Sequence, residues 1–224
     1  MPGLGAGSAE MLILDVTSGS AFLSSLQKTA TARRHTTARI SLDPPRTLLY
    51  RVLERYSLRT YGEVLEPGRA LAHNSRVIFA DLRFERAVAK FNKLDPVLKE
   101  LAVMAAAAHI GCSWCMDFGY WEAHKLGIAQ EKLRAVPAWR EHRELFSGLE
   151  IAVMEYAAAM CESEPAVTDE MSGQLLKLLG EPAFVELTFM VGLENLRSRV
   201  NSALGLRSQG FSDRCQIPAV PSRQ

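Results

Sequence analysis

From about position 46 onward, apolar residues recur at intervals of three and four, and nowhere is there a sustained apolar/polar alternation or a cluster of β-branched residues. This spacing is that of helices with one buried face, so the pattern predicts an all-α fold. The predicted helices are 46–56, 68–74, 75–91, 96–109, 112–126, 146–161, 168–179 and 182–206. Several carry their own start and stop signals. Asp95 can cap a helix with Pro96 at its first position, and Thr168 is followed by Asp169 and Glu170 in a first turn. Gly180 ends one helix just before Pro182 starts the next.

Composition changes the picture only at the N-terminus. Residues 1–8 are Gly-rich, and no Asp or Glu occurs between Val16 and Leu42, where Lys28, Arg33, Arg34 and Arg39 lie among Ser and Thr. Such a segment cannot build a core, and 1–42 is read as a flexible extension rather than an organellar transit peptide, with 43–224 as one helical domain. The whole chain has 224 residues and a net charge of +1 with no Lys/Arg run. The electrostatic footprint for nucleic acid or an anionic membrane is therefore missing, and the protein is expected to be cytoplasmic. The longest strictly apolar stretch, 101–108, is far below the ~20 residues that span a bilayer.

Candidate chemistry is concentrated in two adjacent helices. The first, from Pro96 to His109, is apolar nearly all round, which makes Glu100 an anomaly: it lies either on a narrow exposed edge beside Lys99 or in the interior with a raised pKa. Gly111 then breaks the helix, and Cys112-Ser113-Trp114-Cys115 opens the next. Backbone N–H groups and the helix dipole stabilise a thiolate at a helix start, and cysteines three apart can close a reducible disulfide. Two alternatives stay open: a pair of buried structural cysteines, and a zinc site, although Cys161 and Cys215 form no second close pair. If the two helices form an antiparallel hairpin turning at His109 and Ile110, Glu100 faces position 119. That position is one helical turn beyond Cys115 and is the natural place for a proton carrier; here it is Gly119.

Glu100, Cys112, Cys115, Ala123 and Gly127 follow the spacing E-x11-C-x2-C-x3-H-x3-A-x3-G except at the histidine. In this the chain resembles the carboxymuconolactone decarboxylase and alkylhydroperoxidase D family, as it does at 71–76, 149–160 and 185–205. The resemblance implies a helical homo-oligomer and a thiol-dependent peroxidase or disulfide oxidoreductase without bound cofactor or metal. It would act on a hydroperoxide or other small molecule and be recharged by an external dithiol. The other chemistry it implies is lactone decarboxylation, and a non-catalytic oligomerisation or binding role is a third reading. Its catalytic residues would be Cys115, Cys112 and Glu100. Helix-start electrostatics favour Cys112 as the attacking thiol, whereas the resemblance favours Cys115, which is the expected nucleophile. Gly119 leaves a gap in the proton relay, for which Glu122 on the same helix and His73 on an earlier one are candidates. Trp114, His109, the Met residues at 154, 160 and 190, and the Arg197/Arg199/Asn201 stripe read as packing, capping, core and salt-bridged or oligomer-facing positions respectively.

Overall fold

The structure is a computed structural model that describes residues 38–164 and 166–215, so the reading of 1–42 as an extension falls almost entirely outside it. Among the described residues there are α-helices and short 3-10 turns and no strand, as the periodicity predicts. The helices are α1 (Leu48–Tyr61), α2 (Glu66–Leu71), α3 (Ser75–Val88), α4 (Pro96–Ile110), α5 (Ser113–Lys125), α6 (Gln130–Ala135), α7 (Gly148–Cys161), α8 (Asp169–Leu179) and α9 (Glu181–Ala203).

Boundaries differ from expectation where a side chain takes over a backbone bond. Helix α1 starts only after Thr47, whose hydroxyl accepts the Tyr50 N–H, and runs on to Gly62. Helix α2 stops at Leu71 because Asn74 instead caps α3, accepting N–H bonds from Arg76 and Val77. Helix α6 has no counterpart in the predicted pattern: at six residues, with Pro137 just beyond it, it is too short to show a period. Arg39 lies within the segment read as an extension, yet its guanidinium donates to the Ser202 and Ala203 carbonyls and its N–H to Leu204, satisfying the open end of α9.

Helix α4 is the central element and packs against α5, α7 and α9. Leu101, Ala102, Met104 and Ala106 are wholly enclosed, facing Val153, Met154 and Ala157 of α7 and Leu187 and Val191 of α9. Its run of alanines lets three neighbours approach closely, which is why this helix shows no single apolar face. Asp95 caps it as predicted, accepting from the Val97 and Leu98 N–H groups. No helix among the described residues is long and apolar enough to cross a membrane.

Candidate active site

Helix α4 ends at Gly111, whose φ of 81° is the left-handed conformation that favours glycine. The turn delivers Cys112 to the N-cap of α5, where its sulfur accepts the Cys115 N–H at 3.2 Å. The two cysteines form a disulfide with Cα atoms 5.3 Å apart, and both side chains are buried. The dithiol expected from spacing is thus paired.

On the α4 side the hairpin registers as counted from the sequence. A Cβ placed on Gly119 would lie 3.3 Å from Glu100 Oε1 and 3.2 Å from Met104 Cγ, so the Glu100 carboxyl faces Gly119, one turn beyond Cys115. Part of the Glu100 side chain reaches solvent, but burial of its carboxyl, reinforced by Glu122 and Glu194, pushes its pKa up to about 8. The position of the missing imidazole is therefore filled by the carboxyl and by Met104, not open.

On its other side, Cys115 meets Asn201, expected in a salt-bridged or oligomer-facing stripe, and Ser198, which the sequence pattern did not single out. Its sulfur lies 3.4 Å from Ser198 Oγ and 3.4 Å from Asn201 Nδ2, which donates to it. Ser198 in turn donates to Glu194 Oε1 at 2.7 Å. All three are at most 5% exposed. A signal for them exists in the sequence: Leu187, Val191, Glu194, Ser198 and Asn201 follow one another at steps of four and three, so the buried face of α9 turns polar where it crosses the disulfide. Burial pushes the Glu194 pKa up to about 7, against the lowering effect of Ser198 and Arg197.

The two candidate substitutes for the histidine make their bonds elsewhere. Glu122 is paired with Lys125 at 2.9 Å on the outer face of α5, and His73 Nε2 contacts the Ser41 carbonyl at 2.7 Å. Trp114 packs as expected, stacked on Phe118, with its N–H donated to Gln209. His109 sits at the end of α4, 3.4 Å from Glu162. Met154 and Met190 are core residues. Arg197 is ion-paired with Glu85 of α3 and also faces Glu194, which leaves Asn201 as the member of its stripe that reaches the sulfur. Cys161 and Cys215 are free and buried, and no cluster of three metal-ligating side chains occurs among the described residues.

Asp117, two residues past Cys115, holds the segment after α9 against α5. Its carboxylate accepts from the N–H groups of Gln209, Gly210, Phe211 and Ser212 and from the Ser212 hydroxyl, at 2.7–3.0 Å. Burial alone would raise its pKa, but these bonds outweigh it and hold the carboxyl below its ordinary value. Beside this segment an open cleft of about 600 Å³ is lined by Cys112, Ser113, Met116, Tyr120, Leu133 and Arg134, so the disulfide is approached from the Cys112 side.

Residues 80–159, which include Glu100 and both cysteines, match the carboxymuconolactone decarboxylase family. The uncharacterized protein YnjA of Escherichia coli strain K12 is 34% identical over 164 residues, spanning 71% of this chain and 86% of that one. The chain belongs to the carboxymuconolactone decarboxylase family. Solved structures with its fold include an uncharacterized peroxidase-related protein from Silicibacter sp. TM1040, with a TM-score of 0.71 at 13% identity over 82% of this chain and 97% of that one. The debrominase Bmp8 is similar at a TM-score of 0.65 and 16% identity, over 82% and 96%. At these identities the carboxymuconolactone decarboxylase-family fold is what they share.

Proposed function

We propose that this protein is a thiol-dependent peroxidase or disulfide oxidoreductase that cycles through the Cys112–Cys115 disulfide. The observation that carries the reading is the disulfide itself, formed at a buried helix start with a carboxyl group one turn beyond. Deprotonated Cys115 attacks the distal oxygen of a hydroperoxide; an S–O bond forms, the O–O bond breaks, and the alkoxide leaves as the alcohol after taking a proton. The Cys112 thiol then displaces hydroxide from the Cys115 sulfenic acid, its proton completing a water molecule as the disulfide closes. An external dithiol restores the pair and is itself oxidised to a disulfide. Glu100, held largely protonated at neutral pH, supplies the proton that the leaving alkoxide needs.

The peroxidase-related structure from Silicibacter supports this class, and the debrominase Bmp8, solved in a variant form with 2,3,4-tribromopyrrole, has a similar fold. The test is mass measurement and thiol counting after mild treatment with an organic hydroperoxide, followed by turnover with a small dithiol. The reduced protein is expected to lose two hydrogens per chain and recover them with dithiol, whereas Cys112→Ser and Cys115→Ser each abolish the cycle. A wild-type protein that keeps both thiols under peroxide overturns the proposal.

A further inference from the structure

We propose that Ser198 and Glu194 of α9 are the proton path of Cys115, doing from another helix what a histidine at position 119 would do from α5. The path rests on the dithiol reading of the site and supplies the groups that serve it. The geometry is a continuous chain of buried atoms: Cys115 Sγ to Ser198 Oγ at 3.4 Å, then Ser198 Oγ to Glu194 Oε1 at 2.7 Å. A hydroxyl carries one proton and two lone pairs, so with Glu194 ionised it donates to the carboxylate and accepts from the Cys115 thiol. Moving one proton along each link leaves a thiolate, a hydroxyl turned toward sulfur and a neutral Glu194, with no heavy atom displaced. Asn201 Nδ2 adds a fixed second donor to the sulfur at 3.4 Å, which favours the thiolate.

The burial itself requires an explanation. A carboxyl group 3% exposed, on a helix face that is apolar one and two turns earlier at Val191 and Leu187, costs stability wherever a leucine would fit. Its cation is only partly its own, because Arg197 is bidentate to Glu85 and stands 3.7 Å from Glu194. Glu194 can thus take up a proton instead of being locked as a carboxylate, and its pKa of about 7 suits exchange at neutral pH better than the value of about 8 at Glu100. The charged and titratable groups that act on it are Arg197 on α9, Glu85 on α3, Glu100 on α4 and Cys161 on α7; Asp81 of α3 faces Arg197, and Lys99 of α4 and Glu122 of α5 face Glu100.

In the reductive step the path runs backwards. A dithiol thiolate entering the cleft attacks Cys112 Sγ, a new S–S bond forms to Cys112, and the Cys112–Cys115 bond breaks. Cys115 departs as a thiolate held by Asn201 and takes the proton that Glu194 stored, through Ser198. The second thiol of the donor, as its thiolate, then displaces Cys112 as a thiolate and closes the donor's own disulfide.

The experiment isolates Cys115 in Cys112→Ser and follows its alkylation by iodoacetamide, peptide by peptide, across pH. Adding Ser198→Ala or Glu194→Gln is expected to slow alkylation at pH 7 by about tenfold, the equivalent of one unit in thiol pKa. Glu194→Gln is also expected to remove an inflection near pH 7 that Ser198→Thr, which keeps the hydroxyl, retains. Rates within about twofold of the parent and an unchanged profile in folded variants overturn the path, as does slowing by Ser198→Ala alone. Should the variants fail to fold, infrared difference spectra of the unsubstituted protein decide: a protonated-carboxyl band that is identical in disulfide and dithiol forms overturns the proposal. Peroxide plays no part in these measurements, so failure of the peroxidase reading and failure of the path are told apart.

Discussion

Both oxygens of Asp117 are committed to one segment, residues 209–212, where four consecutive backbone N–H groups converge on one carboxylate. Asp117→Ala leaves these buried donors without that acceptor and is expected to cost about 3 kcal/mol or more. Because Phe211 packs at 5.2 Å from Phe118 and 5.3 Å from Trp121, the loss is checked by urea unfolding together with tryptophan fluorescence, which should report a wetter aromatic cluster. Gly119 poses the opposite problem, of space rather than bonding. The Glu100 carboxyl and Met104 already stand at the limit of what a Cβ tolerates. Gly119→His is therefore expected to lower stability by about 1–3 kcal/mol and to slow disulfide formation rather than restore a relay. A faster, equally stable variant would show that both side chains swing aside.

At the scale of elements, α4 is the piece on which the rest is assembled. Its cap, its alanine run and its terminal glycine are local features, each legible in the amino-acid sequence alone. Leu101 is fully enclosed between α4's neighbours, so Leu101→Ala is expected to cost about 3 kcal/mol, with equal changes in thermal and chemical unfolding. Asp95→Ala, which removes two cap bonds at a partly exposed end, should cost only about 1 kcal/mol. Helix α9 is predicted as an element by its periodicity but not as part of the site. A polar residue at a core position is indistinguishable in sequence from one on a salt-bridged edge until its neighbour is known, and the neighbour here, Cys115, is 83 residues away from Ser198.

For the whole molecule, the buried carboxyls set how stability varies with pH. Glu100 and Glu194 hold protons in the folded state up to about pH 8 and 7, whereas in the unfolded chain they release them near 4.5. Between those limits the folded state binds more protons, so stability from these two groups is complete below about pH 4.5 and declines as pH rises toward 8. Asp117, Glu150 and Glu186 act in the other direction: burial raises each, their hydrogen bonds outweigh it, and the contribution of these lowered groups is lost as pH falls into the acid range. The melting temperature is expected to peak in the mildly acidic range and to fall by about 5 °C or more by about pH 8. Glu100→Gln, an isostere of the protonated form, should leave it unchanged at about pH 5 and raise it at about pH 8.5. A wild-type curve that instead rises between about pH 5 and 8 would mean that these carboxyls are solvated.

Features that depend on near neighbours along the chain are legible in the order of the residues alone. Helical periods, capping residues, the glycine turn and the placement of Cys112 at a helix start all follow from intervals of a few residues. So does the register of Glu100 against Gly119, since a short antiparallel hairpin leaves little choice of pairing. What surrounds the sulfur on its far side is set by packing between distant helices. The docking of α9 across α5 places Ser198 and Asn201 at Cys115, with Glu194 bonded to Ser198, and the path of the segment after α9 places its backbone on Asp117. Those contacts depend on the angle and depth at which helices distant in sequence pack, a property of the whole core that no short window of residues contains.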